Sequence, residues 1–354
     1  MSKRVVVIPG EDAAPEAVLP SLDLVARLGA DIEWVHPPVG EVGLERYGSL
    51  FPEECRRAID ASDATLFGAT SGKSAPALFY LRWGKQTFAN VRPARWFPGC
   101  RSPLAHPEGI DFVIVRENLE DLYVGVEGEL EQLRPIALHG FTSDRPIADI
   151  GPGRFALKVI TEEGSERVCR FSFELARRRR ASGGKGKVTC ASKYNMLPRT
   201  DGLFRDVATR VARDFPDIAF ETFIVDDFAR RIVAAPHDLD VVVLPNLYGD
   251  ILSDTAAGLI GGLGLAPSGC YGRSYAYFES AHGSAPDIAG RNIINPTATI
   301  LSAAMMLEYL GFEPEARRLN EAIRAVYAEG RTLTSDQGGR ASTSEFCAAV
   351  GARL

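Results

Sequence analysis

The rhythm of the first seventy residues constrains this chain more than any other feature. Short β-branched runs, "RVVVIPG" (4–10), "DIEWVHP" (31–37) and "ATLFGAT" (64–70), alternate with stretches of helical period at 15–29 and 52–61. Strands separated in sequence by helices need crossover connections, so the chain reads as α/β with much of its sheet parallel. Further buried strands are expected at 110–117, 187–192, 219–226 and 239–246, and helices at 162–181, 201–214, 249–261, 296–310 and 313–329. The stretch 125–154 has no helical period and many turn residues, so it is expected to project as an arm or hairpin and to offer a dimer contact. At 354 residues the chain is long for one core, and two domains are the default.

Composition removes several function classes. A net charge of -6 gives no electrostatic case for nucleic acid, and the basic run "ARRRRASGGKGK" (176–187) reads as a helix end turning through glycine. No apolar stretch approaches ~20 residues, so no membrane span is expected. The start, "MSKRVVVIPG", lacks a signal-peptide layout. Cys55, Cys100, Cys169, Cys190, Cys270 and Cys347 lie far apart with no C-x-x-C pair, which suggests reduced thiols rather than a disulfide or zinc framework. A soluble cytoplasmic protein is expected.

Two segments carry chemistry. In "PNLYGDILSDTAAGLIGGLG" (245–264), Asp250 and Asp254 stand four residues apart, so a helix places both carboxylates on one face. Either they are acids in a first helical turn, welcomed by the macrodipole, or a positive group sits between them. In "FESAHGSAPDIAGRNIINPTATILSAAMML" (278–307), a His-Gly-Ser-Ala-Pro loop precedes Asp287, and Asn295-Pro296 opens a helix. Such a loop can wrap a nucleotide without the G-x-G-x-x-G turn, which this chain lacks; equally, it can be a capped loop before a core helix.

"NLYGDILSDTAAGLIGGLGLAPSG", "HGSAPDIAG" and "NPTATILSAAMML" together resemble the β-decarboxylating dehydrogenases of 3-substituted malates, the isocitrate/isopropylmalate dehydrogenase family, which includes homoisocitrate and tartrate enzymes. The resemblance implies an isopropylmalate-dehydrogenase-like fold of two α/β domains around a large mixed sheet, not a Rossmann fold. It implies a discontinuous cofactor-binding domain (1–90 and 258–354) and a smaller dimerisation and catalytic domain (91–257) with the arm at about 125–154. The family's metal aspartates match Asp250 and Asp254, with Asp226 in "FIVDDF" supplied by a partner subunit, for Mg2+ or Mn2+. Its substrate arginines match Arg82, Arg92 and Arg116, suited to a di- or tricarboxylate. Its acid–base pair matches Tyr123 and Lys193. His282, Gly283, Ser284, Ala285, Pro286, Asp287 and Asn295 match the cofactor loop, with NAD favoured because Asp287 stands where NADP-specific members place a lysine.

The implied activity is NAD- and divalent-metal-dependent oxidative decarboxylation by a homodimer with active sites shared between subunits. Three departures mark this chain. The usual Gly-Asp-Gly-Ile-Gly-Pro-Glu opening is Gly10-Glu11-Asp12-Ala13-Ala14-Pro15-Glu16, so the first loop is expected to follow another path and its contact with the nicotinamide half is in question. Before Arg82, Pro76 and Leu78 replace the serine and asparagine of isocitrate-specific members, and Phe79 stands where homoisocitrate enzymes carry an arginine. Leu119 and Asp121 replace smaller residues. Leu78 and Phe79 offer an apolar surface, which favours an isopropylmalate-like substrate over isocitrate or homoisocitrate. The altered first loop also motivates an alternative, a non-catalytic or regulatory paralogue that binds ligand without turnover.

Overall fold

The computed structural model describes residues 2–140 and 144–354. Twelve strands are described: β1 (Lys3–Ile8), β2 (Ile32–Val35), β3 (Ala64–Phe67), β4 (Ala89–Arg95), β5 (Asp111–Glu117), β6 (Glu127–Glu129), β7 (Arg154–Ala156), β8 (Lys187–Ser192), β9 (Ala219–Ile224), β10 (Val241–Leu244), β11 (Pro267–Tyr271) and β12 (Ala276–Ser280). Ten of them form one sheet in the order β2-β1-β3-β12-β11-β4-β5-β10-β8-β9. Pairing is parallel in both wings and antiparallel through the centre, from β12 to β11, β4 and β5. The sheet is therefore large and mixed, unlike the all-parallel dinucleotide-binding sheet. One wing draws its strands from before residue 68 and after residue 275, and the other from residues 111–244.

The helices are α1 (Ala14–Arg27), α2 (Glu41–Tyr47), α3 (Glu53–Asp60), α4 (Ala75–Phe79), α5 (Glu162–Ala181), α6 (Thr200–Ala212), α7 (Val225–Ala234), α8 (Asn246–Ile260), α9 (Thr297–Leu310), α10 (Glu313–Glu329) and α11 (Thr343–Gly351). The most apolar, α9, lies on β11 and β12 with nearly every residue buried, including Ile300, Ala303, Met306 and Leu307. On one face a single cluster spans both wings, joining Val5, Val7 and Leu66 to Phe112, Ile114, Val242 and Leu244. Two further clusters belong to one wing each, Val113, Val115, Phe173, Phe204 and Val243 in one, and Val6, Ile8, Phe67 and Tyr277 in the other. All six cysteines are free and buried. Among the described residues no helix is long and apolar enough to cross a membrane.

Two boundaries differ from the sequence expectation in ways that matter for function. The run 219–226 is not all strand: β9 ends at Ile224 and α7 begins at Val225, which puts Asp226 in a first helical turn. Helix α8 begins at Asn246, three residues earlier than expected, so its first turn holds no acid. Asp250 and Asp254 thus stand in later turns, where the macrodipole has faded, and the first-turn explanation for the pair fails. The segment 125–154 carries β6 and two 3-10 turns and ends at the first residue of β7, with which β6 forms a separate antiparallel pair; residues 141–143 within it lie outside the described residues.

Candidate active site

The site is built where β4 and β5 meet α8. Register sets Asn90 opposite Arg116 and Arg92 opposite Ile114, so the two arginines are diagonal neighbours on one face of the sheet. Helix α8 packs on that face so closely that a Cβ on Gly249 would lie 2.7 Å from Arg116 Cβ. The arginines therefore meet the helix's acidic side. Arg92 donates to Asp250 Oδ1 at 3.1 Å, to Ser253 Oγ at 2.7 Å and to Asp254 Oδ1 at 3.4 Å. Arg116, 1% exposed, donates to Asn246 Oδ1 at 2.8 Å and also to Asp250 Oδ1. Tyr123, in a 3-10 turn, donates to Asp250 Oδ2 at 2.5 Å, and its ring lies 4.8 Å from the Arg116 guanidinium.

Arg82 enters from a π-helical turn at Tyr80–Gly84, an irregularity frequent at functional sites. Its Nε donates to Tyr277 OH at 3.1 Å, and its guanidinium lies 3.7 Å from Glu279. Burial, and then the charges of Arg92 and Arg82, lower the proton affinity of Arg116. Three cations therefore crowd one spot, and Arg116 Nη2 and Arg92 Nε are buried with no hydrogen-bond partner among the described residues. Unpaired buried donors on charged groups cost about 1–3 kcal/mol or more each, so the pocket is short of anionic acceptors.

Burial would raise the Asp250 pKa, but Arg116, the Tyr123 hydroxyl and Arg92 hold it below the usual range. Asp254 goes the other way: burial, helped by the charge of Asp250, raises it in spite of Arg92. A cation between the two carboxylates is the answer to their spacing, and Arg92 Nη1 occupies that role here. The all-oxygen donor pair suits a hard divalent ion. Among the described residues no three Asp, Glu, His or Cys side chains gather as a metal group.

Lys193, just after β8, donates to Asp226 Oδ1 at 2.5 Å, and that bond holds the Asp226 carboxyl below its ordinary range. No hydrogen bond or ion pair among the described residues joins this exposed pair to Asp250, Asp254 or the three arginines. The structure thus brings Arg82, Arg92, Arg116, Tyr123, Asp250 and Asp254 together and leaves Lys193 and Asp226 apart.

The segment after β12 forms a second cleft of about 420 Å3 lined by His282, Gly283, Ala285, Ile288, Asn295 and Asp336, among others. Burial lowers the His282 pKa, so the imidazole is neutral, with Nδ1 against Gly283 O at 2.8 Å and a buried, unpartnered Nε2. Asn295 Oδ1 caps α9 by accepting from Thr297 N, and its amide donates to Asp336 at 2.9 Å. Asp287 is exposed on this loop, and Asp336 is the acid among the residues lining the cleft. Sequence reasoning missed Asp336; its only local signal is the Ser-Asp-Gln-Gly-Gly turn at 335–339.

The first loop is tied on both sides. Glu11 accepts from Thr70 Oγ1, Ser71 N and Ser74 N at 2.7, 2.8 and 2.9 Å, and these bonds pull its pKa down against burial. Asp12 accepts from Ser284 Oγ at 2.6 Å, and Glu16 takes the amides of Gly290 and Asn292. Gly10 keeps its glycine requirement, with φ +78° and the Ala69 carbonyl 2.3 Å from where a Cβ would sit. Three carboxylates thus restrain the loop, and of these only Asp12 stands at a position where the usual opening has a glycine. On α4, Leu78 packs against the cluster of Leu81 and Tyr277, whereas Phe79 is 55% exposed and edge-on to Trp83 at 5.6 Å.

The structure thus combines a large mixed sheet flanked by helices with a buried arginine cluster and a separate cleft formed by the segment after β12. Residues 4–350 match the family model described as isocitrate/isopropylmalate dehydrogenase, and the chain belongs to that family. It is 42% identical over 354 residues to the 3-isopropylmalate dehydrogenase of Archaeoglobus fulgidus, covering 99% of each chain. It is equally 42% identical, over 358 residues, to the isocitrate/homoisocitrate dehydrogenase of Thermus thermophilus, covering 99% of this chain and 98% of that one. Among solved structures it resembles the isocitrate dehydrogenase of Methylococcus capsulatus, with a TM-score of 0.86, 35% identity and coverage of 100% of this chain and 99% of the other.

Proposed function

We propose that this protein catalyses NAD-dependent, divalent-metal-dependent oxidative decarboxylation of a 3-substituted malate, with an isopropylmalate-like substrate favoured. The observation that carries the reading is the convergence of Arg82, Arg92 and Arg116 with unsatisfied buried donors beside Asp250, Asp254 and Tyr123. The arginines would grip the substrate carboxylates with bidentate forks. Asp250 and Asp254, with Asp226 of a second copy, would hold Mg2+ or Mn2+. A bound divalent cation supplies charge stabilisation at the 2-hydroxyl and its neighbouring carboxylate, and NAD supplies the hydride acceptor. Lys193, oriented by Asp226, takes the hydroxyl proton as C2 is oxidised. After CO2 leaves from C3, Tyr123 delivers a proton to that carbon. Burial, and then its bond to Asp250, raise the Tyr123 pKa, so the phenol is protonated and able to donate.

In this reading residues 1–90 and 258–354 carry the cofactor, and residues 91–257 carry the acid–base groups and the dimer contact. Exposed apolar side chains on the contacting helices α7 and α8, Val233 at 44% and Ile251 at 56%, support burial against a second copy. The carboxylates at Asp287 and Asp336 would repel a 2'-phosphate, which favours NAD over NADP.

Exposed Phe79 supports the substrate preference. If the C3 substituent lies against its ring, an apolar group gains roughly 1–3 kcal/mol there, whereas a carboxylate would meet a side chain with no hydrogen-bond donor. The relatives' names span both classes, so a substrate panel decides. With NAD and Mg2+ or Mn2+, 3-isopropylmalate should outperform isocitrate, homoisocitrate, malate and tartrate in kcat/KM, and chelation should stop turnover. Isocitrate or homoisocitrate leading the panel would overturn the preference. No turnover with any of them would overturn the activity and favour the non-catalytic paralogue.

A further inference from the structure

Lys158, in the strand-like segment just after β7, sits at a junction that the proposed chemistry leaves unexplained. Its ammonium lies 2.8 Å from Asp201 and 3.4 Å from Asp121, and 4.4 Å from the centre of the Tyr248 ring. Both aspartates are 0% exposed, so this lysine is the cation that permits two carboxylates to be buried together. Each partner leads to a different functional group. Asp121 accepts from Leu122 N and from Leu247 N, which fixes the turn carrying Tyr123 to the start of α8. Asp121 itself has φ +68°, a conformation costly for a non-glycine residue and kept only where surroundings over-determine it. Asp201 accepts from Lys193 N at 3.0 Å and so fixes the backbone of the lysine proposed as base. Tyr248 is two residues from Asp250 on α8.

We propose that Lys158 is a positioning residue that holds Tyr123 and Lys193 in place together, and so couples the two active sites of the dimer. The coupling rests on the shared-site reading above: Tyr123 serves its own subunit's site, whereas Lys193 of the same chain serves the partner's. One buried ammonium then sets the proton donor of one site and the proton acceptor of the other. It touches neither substrate nor cofactor, and its effect passes through Asp121 and Asp201.

The test begins with Lys158→Met and Lys158→Arg in the intact protein. A small displacement of catalytic groups costs on the order of 100-fold, so K158M should lose about that much kcat with little change in substrate KM. K158R, which keeps a cation between the aspartates, should recover most of it. A K158M protein that melts lower but keeps kcat within twofold overturns the proposal, since that is the signature of a purely structural ion pair. Mixed dimers then separate the two arms. A K158M chain paired with a Y123F chain has one competent site, which uses Tyr123 of the K158M chain. A K158M chain paired with a K193M chain has one competent site, which uses Lys193 of the K158M chain. Both should be slow relative to the same dimers with Lys158 intact, and a loss in only one overturns joint positioning. The control dimer of Y123F with K193M should keep one working site. Its inactivity would sink the shared-site reading alone, and the K158M and K158R comparison would still decide whether Lys158 positions the catalytic groups.

Discussion

Asp250 takes hydrogen bonds from Arg92, Arg116 and Tyr123, so three of the site's side chains are oriented through one carboxylate. Asp250→Asn keeps the shape but removes the charge. Outer-shell partners of metal ligands are typically worth 10–100-fold, so loss of a direct ligand charge should raise the half-saturating Mg2+ or Mn2+ concentration at least about 100-fold. Because Asp250 is the anion paired with the buried Arg116 and Arg92, the variant should also melt at a lower temperature; an unaltered metal response would remove Asp250 from the cation site. One residue further along β5 from Arg116, Glu117 makes a pH prediction. Burial lifts its pKa from 4.5 to about 7, against the pull of the Glu120 and Leu119 amides. Between those values the unfolded chain sheds a proton that the folded chain retains, so this group's stability contribution falls as pH rises through about 4.5 to 7, then stays flat. Glu117→Gln lacks the titration. The gap in melting temperature between wild type and variant should therefore shift toward the variant from pH 5 to pH 7.5, and a constant gap would refute the assignment.

Helix α8 works as an element because its approach to β5 is close enough to deliver acids to arginines. Gly249 permits that approach, since a methyl there would stand 2.7 Å from Arg116 Cβ and Cγ. Gly249→Ala should cost ~1–3 kcal/mol of stability by overpacking, and should raise the substrate KM by moving Arg116. Gly258 on the same helix faces open space, so Gly258→Ala should instead stabilise by ~0.5–1 kcal/mol through helix propensity. Equal effects at the two positions, read by denaturant unfolding, would show that the contact with Arg116 is not the constraint. The first loop illustrates a different element-level solution. With two turn glycines gone, Glu11, Asp12 and Glu16 pin it to the 70–74 turn and to the 284–292 segment. That tie joins the altered opening to the segment that forms the cleft after β12.

For the whole molecule, the separation of Lys193 and Asp226 from the arginine cluster has a direct consequence. If each site borrows these residues from a second copy, a monomer has no base and an incomplete cation site. Specific activity should fall on dilution in step with the dimer fraction measured by sedimentation, whereas full activity in a purely monomeric sample would contradict the shared site. The exposed Ile251 and Val233 should become protected from solvent labelling over the same concentration range.

The sequence by itself determined the fold class, the family and most element cores, because periodicity and long motifs are local properties of the chain. The helix at 162–181 and the helix at 313–329 were legible to the residue, each with acids in the first turn and a clean period. Helix α7 was not legible, since "FIVDDFARRIV" runs from a β-branched strand into a helix with no side-chain cap between them. The residue types of the candidate site were likewise readable from motifs, but their meetings were not. Arg92 reaches Asp250 across 158 residues of chain and Lys158 joins Asp121 to Asp201, contacts set by strand register and helix placement rather than by neighbours in sequence. Only the tertiary structure shows that the acids of α8 lie beyond its first turn, that Asp336 is among the residues lining the cleft after β12, and that Arg92 stands between the paired carboxylates. Burial and electrostatics act through space, and their outcome depends on which distant side chains the fold brings to the same point.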